Sequence, residues 1–327
     1  MCKKLFLLVL VLTVVGIVSV ASAGTVAYWR FEPGEPGIDF SENAYPAMPD
    51  SDGRAVWRKG ADDWSGNGNH LTTFQHAWAG ENFSTDVPYA TVPQTGASNA
   101  QSIVNAGSYP AAMTWSAQSL PSGTDIEVIT PAAFTVEACF KASSLNNYST
   151  LVGRDGRDVW TQNTGTEPNP GNWAPFYLTA RSNGLVRIQF HDLSGYQHTA
   201  ESALGLVTNG QWYCIAGVSD GSTLSLYLDD GGGYDLVAQT ALDPNNIGID
   251  TRLAIGAGAA GDNWAGTWTV GRGLWNGGHT DRFFGNIDEV RISDAALNPS
   301  QFLCVPEPAT MVLLGLGSLA LIRRRKS

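Results

Sequence analysis

Short runs of alternating apolar and polar residues, broken by Gly, Asn, Asp and Pro, recur between residues 24 and 304. The clearest is 134–140, where Phe134, Val136, Ala138 and Phe140 alternate with Thr135, Glu137 and Cys139. A period of two is that of a strand with one buried face. By the same criterion strands are predicted at 26–31, 71–74, 102–104, 126–129, 150–153, 176–180, 185–190, 212–218, 224–228, 252–256 and 284–292. Ser182-Asn183-Gly184 and Asp220-Gly221-Ser222 sit between pairs of these runs and predict hairpin turns. Residues 294–302 predict a single helical turn kept short by Pro299. Residues 76–130 are less regular, rich in Ser, Ala, Thr, Gly and Pro. No long stretch between the ends carries helical periodicity, so the pattern predicts an all-β sandwich.

The two ends follow another pattern. Lys3 and Lys4 precede an apolar run over 5–20, and Ala21-Ser22-Ala23 follows it. This order predicts a signal peptide over 1–23, cut by signal peptidase before Gly24; an uncleaved anchor helix is the alternative. At the other end Val305-Pro306-Glu307-Pro308 leads into an apolar stretch, 311–322, closed by Arg323, Arg324, Arg325 and Lys326. The stretch is short for a spanning helix and gains length only from its flanks. The basic cluster predicts a cytoplasmic end, which places the body outside the inner membrane.

With both ends set aside, 24–304 is enough for one large domain or two small ones. The formal net charge is −11, yet six of the 19 basic residues lie in the two ends, so the body is more acidic still. A nucleic acid or anionic lipid partner is thereby disfavoured. Cys2 leaves with the signal and is no lipoprotein cysteine, since it precedes the apolar run. Cys139, Cys214 and Cys304 remain in an oxidising compartment, an odd number that leaves one thiol over.

The tail resembles the PEP-CTERM sorting signal of Gram-negative bacteria that secrete exopolysaccharide, through Val305, Pro306, Glu307, Pro308, the apolar helix and Arg323 to Arg325 in fixed order. The resemblance implies processing by an exosortase-type enzyme and transfer to the cell surface or beyond; an ordinary tail anchor is the alternative. Between the ends, six segments in order resemble the laminin-G-like, concanavalin A-like jelly-roll family: 26–31, 63–70, 134–138, 210–218, 220–229 and 285–292. The resemblance implies one jelly-roll domain over 24–304. Residues 76–130 and 257–282 depart from it as insertions able to reshape or block a ligand face.

The resemblance further implies a structural Ca²⁺, with Asp63 and Asn67 in an oxygen-rich turn and Asp288 on a facing strand as ligands. The competing reading is that the turn residues serve only their own backbone. Cys139 and Cys214 lie on strands resembling jelly-roll neighbours, where pentraxins, relatives in fold, carry a disulfide; two buried thiols are the alternative. Trp160, Trp173, Trp264, Trp268 and Trp275 lie in predicted loops among Gly, Asn and Asp, placed to stack on sugar rings or simply to pack. Catalysis has little support. Adjacent Asp288 and Glu289 point to opposite faces of a regular strand, and the five histidines are scattered. The expectation is an exported, membrane-anchored surface or matrix protein with a non-catalytic lectin-like module for glycan or exopolysaccharide. The alternatives are a purely structural surface protein without a small ligand and a divergent glycan-active enzyme.

Overall fold

The computed structural model describes residues 24–32, 48–49, 56–74, 81–105, 114, 126–156, 174–256, 266–275 and 278–305, with 48–49, 56–60 and 72–74 as backbone alone. Residues 1–23, where the signal peptide is expected, and all of the tail beyond Val305 lie outside the described residues.

In chain order the strands are β1 (Thr25–Trp29), β2 (Met48–Pro49), β3 (Val56–Ala61), β4 (Leu71–Phe74), β5 (Glu81–Ser84) and β6 (Ser102–Asn105). Then come β7 (Phe134–Ser144), β8 (Ser149–Arg154), β9 (Phe176–Ala180), β10 (Val186–His191), β11 (Gln197–Glu201) and β12 (Trp212–Ser219). The last are β13 (Thr223–Asp229), β14 (Tyr234–Ala241), β15 (Trp268–Val270), β16 (Gly273–Trp275), β17 (Gly278–Thr280) and β18 (Phe284–Ser293). A 3₁₀ turn, Pro299–Gln301, follows. The described residues contain no α-helix.

Two antiparallel sheets make the body. The larger runs β14-β13-β12-β7-β18-β6-β5, and the smaller β11-β10-β9-β8-β15. β1 also pairs with β18, alongside its second half, while β6 takes the first half. One apolar core joins the sheets: Phe134, Val136, Ala138 and Phe140 of β7 belong to the same cluster as Phe176, Leu178, Ile188 and Phe190 of the smaller sheet. Phe134 makes edge contacts with Phe176 and Phe190, at 6.1 and 5.3 Å between ring centres. The period-two pattern read in the sequence is this inward row. Among the described residues the two sheets share one interior.

The outward face of the larger sheet is not left to water. Tyr28, Cys139, Cys214, Val92, Leu303 and Cys304 form a second apolar cluster on it. The segment 85–101 and the chain after β18 cover these strands. This second layer is why Glu137, on the outward side of β7, is buried.

Several predicted elements differ. Residues 126–128 form a turn, with Ile126 buried beneath Trp268, instead of the strand predicted at 126–129. Residues 252–256 hold only a single bridge, Leu253 to Asp192. The region predicted as an enlarged loop, 257–282, contains β15, β16 and β17. β3, β5, β11 and β14 were not legible as alternation; β14 has no buried residue and mixes polar with apolar positions on both faces.

Candidate functional site

Three connections converge at one end of the sandwich: the β7–β8 turn, the β9–β10 turn and the link from β17 to β18. Between them lies an open pocket of about 540 Å³ lined by Asn146, Asn147, Tyr148, Ser182, Asp281 and Arg282, among others. Backbone bonds fix the turns to one another, with Ser182 N donating to Asn146 O at 2.8 Å and Thr150 N to Asp281 O at 2.8 Å. Ser182 Oγ donates to Asn147 Oδ1 at 3.0 Å, and Arg181 Nε to Asn147 O at 2.8 Å.

Tyr148 is the aromatic surface of the pocket, 41 % exposed. The guanidinium carbons of Arg181 and Arg187 lie 4.6 and 5.7 Å from its ring centre, a cation–π arrangement that holds the ring. Glu201 faces both arginines, at 3.4 and 4.0 Å. Burial pushes the Asp281 carboxyl up to about 6, with Arg187 and a Thr280 hydrogen bond pulling it part-way back. Burial, helped by Arg272 and Arg282, pushes the neighbouring His279 down to about 3, so its imidazole is neutral at physiological pH. The pocket therefore offers an apolar ring, amides, a hydroxyl, an acceptor and a cation within one concavity. Such a set suits a polyhydroxylated ring.

A second cluster lies on the covered face of the larger sheet. β18 carries a bulge between Asp288 and Arg291, and Glu289 has φ of 50°. The extra residue falls where β6 ends and β1 begins as the partner of β18. It turns both carboxylates to the outward face, correcting the expectation that they point apart. Asp288 accepts from Asn99 Nδ2 at 2.8 Å. Glu289 accepts from the Tyr28 hydroxyl and from Arg30 Nε, the latter at 3.2 Å. Burial raises both above the carboxylate range, Glu289 to about 7. Both side chains are closed off from solvent.

The description of the concanavalin A-like lectin/glucanases superfamily matches residues 112–302, more than half of the chain. The chain belongs to the concanavalin A-like lectin/glucanase superfamily. Residues 305–326 match the PEP-CTERM protein-sorting motif. Among solved structures, the chain is similar to Domain 4 of AbnA, a GH43 extracellular arabinanase from Geobacillus stearothermophilus in complex with arabinotriose. There the identity is 15 %, covering 86 % of this chain and 97 % of that one with a TM-score of 0.43. The Ruminococcus gnavus IT-sialidase CBM40 bound to alpha2,3 sialyllactose is 15 % identical over 53 % of this chain and 82 % of its own, with a TM-score of 0.38. The Botulinum Neurotoxin Type G Receptor Binding Domain is 10 % identical over 85 % and 50 %, with a TM-score of 0.45. No curated protein matches the chain.

Within this superfamily fold, the residues predicted as calcium ligands are already engaged. Asp63 Oδ1 accepts from Tyr28 N and Ser65 N, and Oδ2 from Ser65 Oγ and Asn69 N, all at 2.8–2.9 Å. Asn67 Nδ2 donates to the carbonyls of Thr25 and Val26. Asp288 accepts from Asn99 and from Glu289 N. Ca²⁺ takes six to eight oxygens, and here both oxygens of Asp63 are already taken up by the protein's own N–H and O–H groups, which argues against Asp63 as a ligand. The turn instead ties residues 63–69 to β1.

Trp268 is a core residue, not a loop residue. It lies in β15, 1 % exposed, packed on Phe176 and donating from Nε1 to Ile126 O at 3.3 Å. Sugar stacking at Trp268 is therefore corrected to packing. Trp275, at the end of β16, is 39 % exposed. Trp160, Trp173 and Trp264 lie outside the described residues, as do Pro306, Glu307, Pro308, Arg323, Arg324 and Arg325 of the sorting motif. Val305 is the last described residue, its N–H on Phe302 O. Cys139 and Cys214 are joined by a disulfide between directly paired positions of β7 and β12. The pocket residues were missed in the sequence because they belong to three separate turns. The one local signal was the run Asn146-Asn147-Tyr148, an aromatic among amides between two strands.

Proposed function

We propose that the domain is a non-catalytic glycan-binding module, exported through its signal segment and delivered to the cell surface or matrix by its sorting tail. The observation that carries it is the pocket around Tyr148, whose ring, amides and charged groups match what a sugar presents: an apolar ring face rimmed by hydroxyls. Membership of a superfamily of lectins and glucanases supports the same ligand class. The tail implies an exosortase-type processing enzyme as a partner, after transient anchoring in the inner membrane. No helix among the described residues is long and apolar enough to cross a membrane.

The non-catalytic half of the reading draws support from Asp288 and Glu289. Glycoside hydrolysis needs two carboxyl groups on either side of a substrate bond, about 5–9 Å apart with room between them. Here the pair is buried and held by Asn99 and Arg30.

One observation favours the purely structural alternative. The outward face of the smaller sheet carries polar residues such as Gln189 and Thr179, yet both are closed to solvent. The β16–β17 hairpin lies against it, with the Tyr177 hydroxyl donating to Leu274 O and a Cβ at Gly273 falling 2.8 Å from the Tyr177 ring. A ligand on that face would have to displace the hairpin; the pocket at the loop end needs no displacement. A glycan array probed with the purified protein, with and without a chelator, separates the two. Retention of one glycan class in both conditions supports the binding module, and an empty array supports the structural role.

A further inference from the structure

We propose that Cys139, Cys214 and Cys304 form a thiol–disulfide exchange site that staples the C-terminal segment to the sheet immediately before the sorting motif. Cys304 is the thiol left over by the Cys139–Cys214 disulfide, and it is buried on the same face. Its Sγ lies 3.1 Å from Cys139 Sγ, and the three sulfurs all lie within 4.8 Å of one another.

A disulfide is exchanged when a thiolate attacks one of its sulfurs. Here Cys304 is the attacking group, Cys139 the sulfur attacked and Cys214 the leaving group. The Cys304–Cys139 bond forms as the Cys139–Cys214 bond breaks, and the proton lost by Cys304 is returned to Cys214. Nothing is oxidised or reduced overall. The Tyr89 hydroxyl, 3.1 Å from Cys214 Sγ, is in place to donate to the leaving sulfur. Hydroxyls of Tyr89 and Tyr234 also reach Cys304, while burial holds its thiol well above the ordinary range. Exchange is therefore slow at neutral pH and quickens in alkali, as the thiolate fraction grows.

The two connectivities do different work. Cys139–Cys214 joins neighbours within one sheet. Cys139–Cys304 joins the sheet to the last covering segment, which is otherwise held by Leu303 N on Glu137 Oε1 at 2.8 Å, Arg291 Nη2 on Gln301 O at 2.8 Å, and Phe302 between the rings of Tyr227 and Tyr234. Val305, the next residue, opens the matched sorting motif. In the second connectivity, pull on the tail is borne by a covalent bond.

The test is disulfide mapping of the wild-type chain held folded at pH 7 to 9, quenched in acid and digested with pepsin, with near-UV circular dichroism as the folding control. Expected is a peptide pair linking Cys139 to Cys304, with Cys214 as the free thiol, formed faster at higher pH and then levelling. Cys214→Ser, oxidised with glutathione disulfide, is expected to carry the same Cys139–Cys304 link without loss of fold; if that variant does not fold, the wild-type result decides alone. Wild type retaining only Cys139–Cys214 at every pH overturns the proposal. So does a mixture in which Cys214–Cys304 appears equally, the mark of scrambling without a fixed point of attack.

Discussion

Gly217 of β12 faces Ile188 of β10 across the sandwich so closely that a Cβ on Gly217 would lie 2.3 Å from Ile188 Cδ1. The two sheets meet here with room for a hydrogen and no more. Ile188 Cδ1 is the end of a flexible side chain, so alanine is accommodated by a small rotation, whereas a branched side chain is not. Gly217→Val should lose about 1–3 kcal/mol through overpacking. Adding Ile188→Ala should recover part of that loss, a positive coupling in a double-mutant cycle. Urea denaturation followed by circular dichroism measures both, and additive effects would contradict the close approach.

Glu137 ties the central strand to the chain end. Arg291 Nε donates to its Oε2 at 2.6 Å, and Leu303 N to its Oε1 at 2.8 Å. Removing one partner of a buried pair leaves the other charge uncompensated, typically at a cost of about 3–5 kcal/mol. Glu137→Ala should approach that cost and should raise amide hydrogen exchange in residues 297–305 before the rest of the sheet. Uniform exchange across the domain would argue that the end segment is held by other contacts.

Asp281 sets a pH dependence of known sign. Its folded carboxyl is raised to about 6 from an ordinary 3.8, chiefly by burial. The folded state therefore binds more protons than the unfolded chain between those values. The stability this group contributes is fully present below about 3.8 and is lost as pH rises through about 6. Asp281→Asn, which cannot ionise, should gain in melting temperature relative to wild type over that window and hold the difference above it. A difference that stays flat from pH 4 to 7.5 would contradict the shift.

The saturated Asp63 carboxylate predicts that metal removal has no effect on folding. The melting midpoint of the full chain should be the same in excess EDTA as in millimolar calcium. A loss beyond about 2–4 °C, the shift that roughly 1 kcal/mol makes in a domain of this size, would show a structural ion after all.

Much of the fold was legible in the sequence because the inward rows of β7, β9, β10, β12, β13 and β18 alternate against a single core. Strand pattern does not report a covering layer. Glu137 falls among the polar positions of its strand, and Asp288 and Glu289 were expected on opposite faces of theirs, yet all three are buried on the outward side, where residues 85–101 and 294–305 lie over them. The bulge at Asp288–Glu289 was equally hidden, since it depends on where β6 hands over to β1 rather than on any residue in β18. Trp268 looked like a loop residue because its strand is three residues long. Tyr148 escaped notice for the reason that makes its pocket: Asn146, Ser182 and Asp281 come together only after the sheets have stacked.

The central claim is that the loop-end pocket around Tyr148 binds sugar. Wild type and Tyr148→Ala, probed on one glycan array and titrated against the glycan that wild type retains, test it most directly. Truncating an aromatic anchor should weaken binding by about tenfold or more. Because Tyr148 is half exposed, the melting temperature should stay nearly unchanged. Equal binding by the two proteins, or no glycan retained by wild type, would contradict the account.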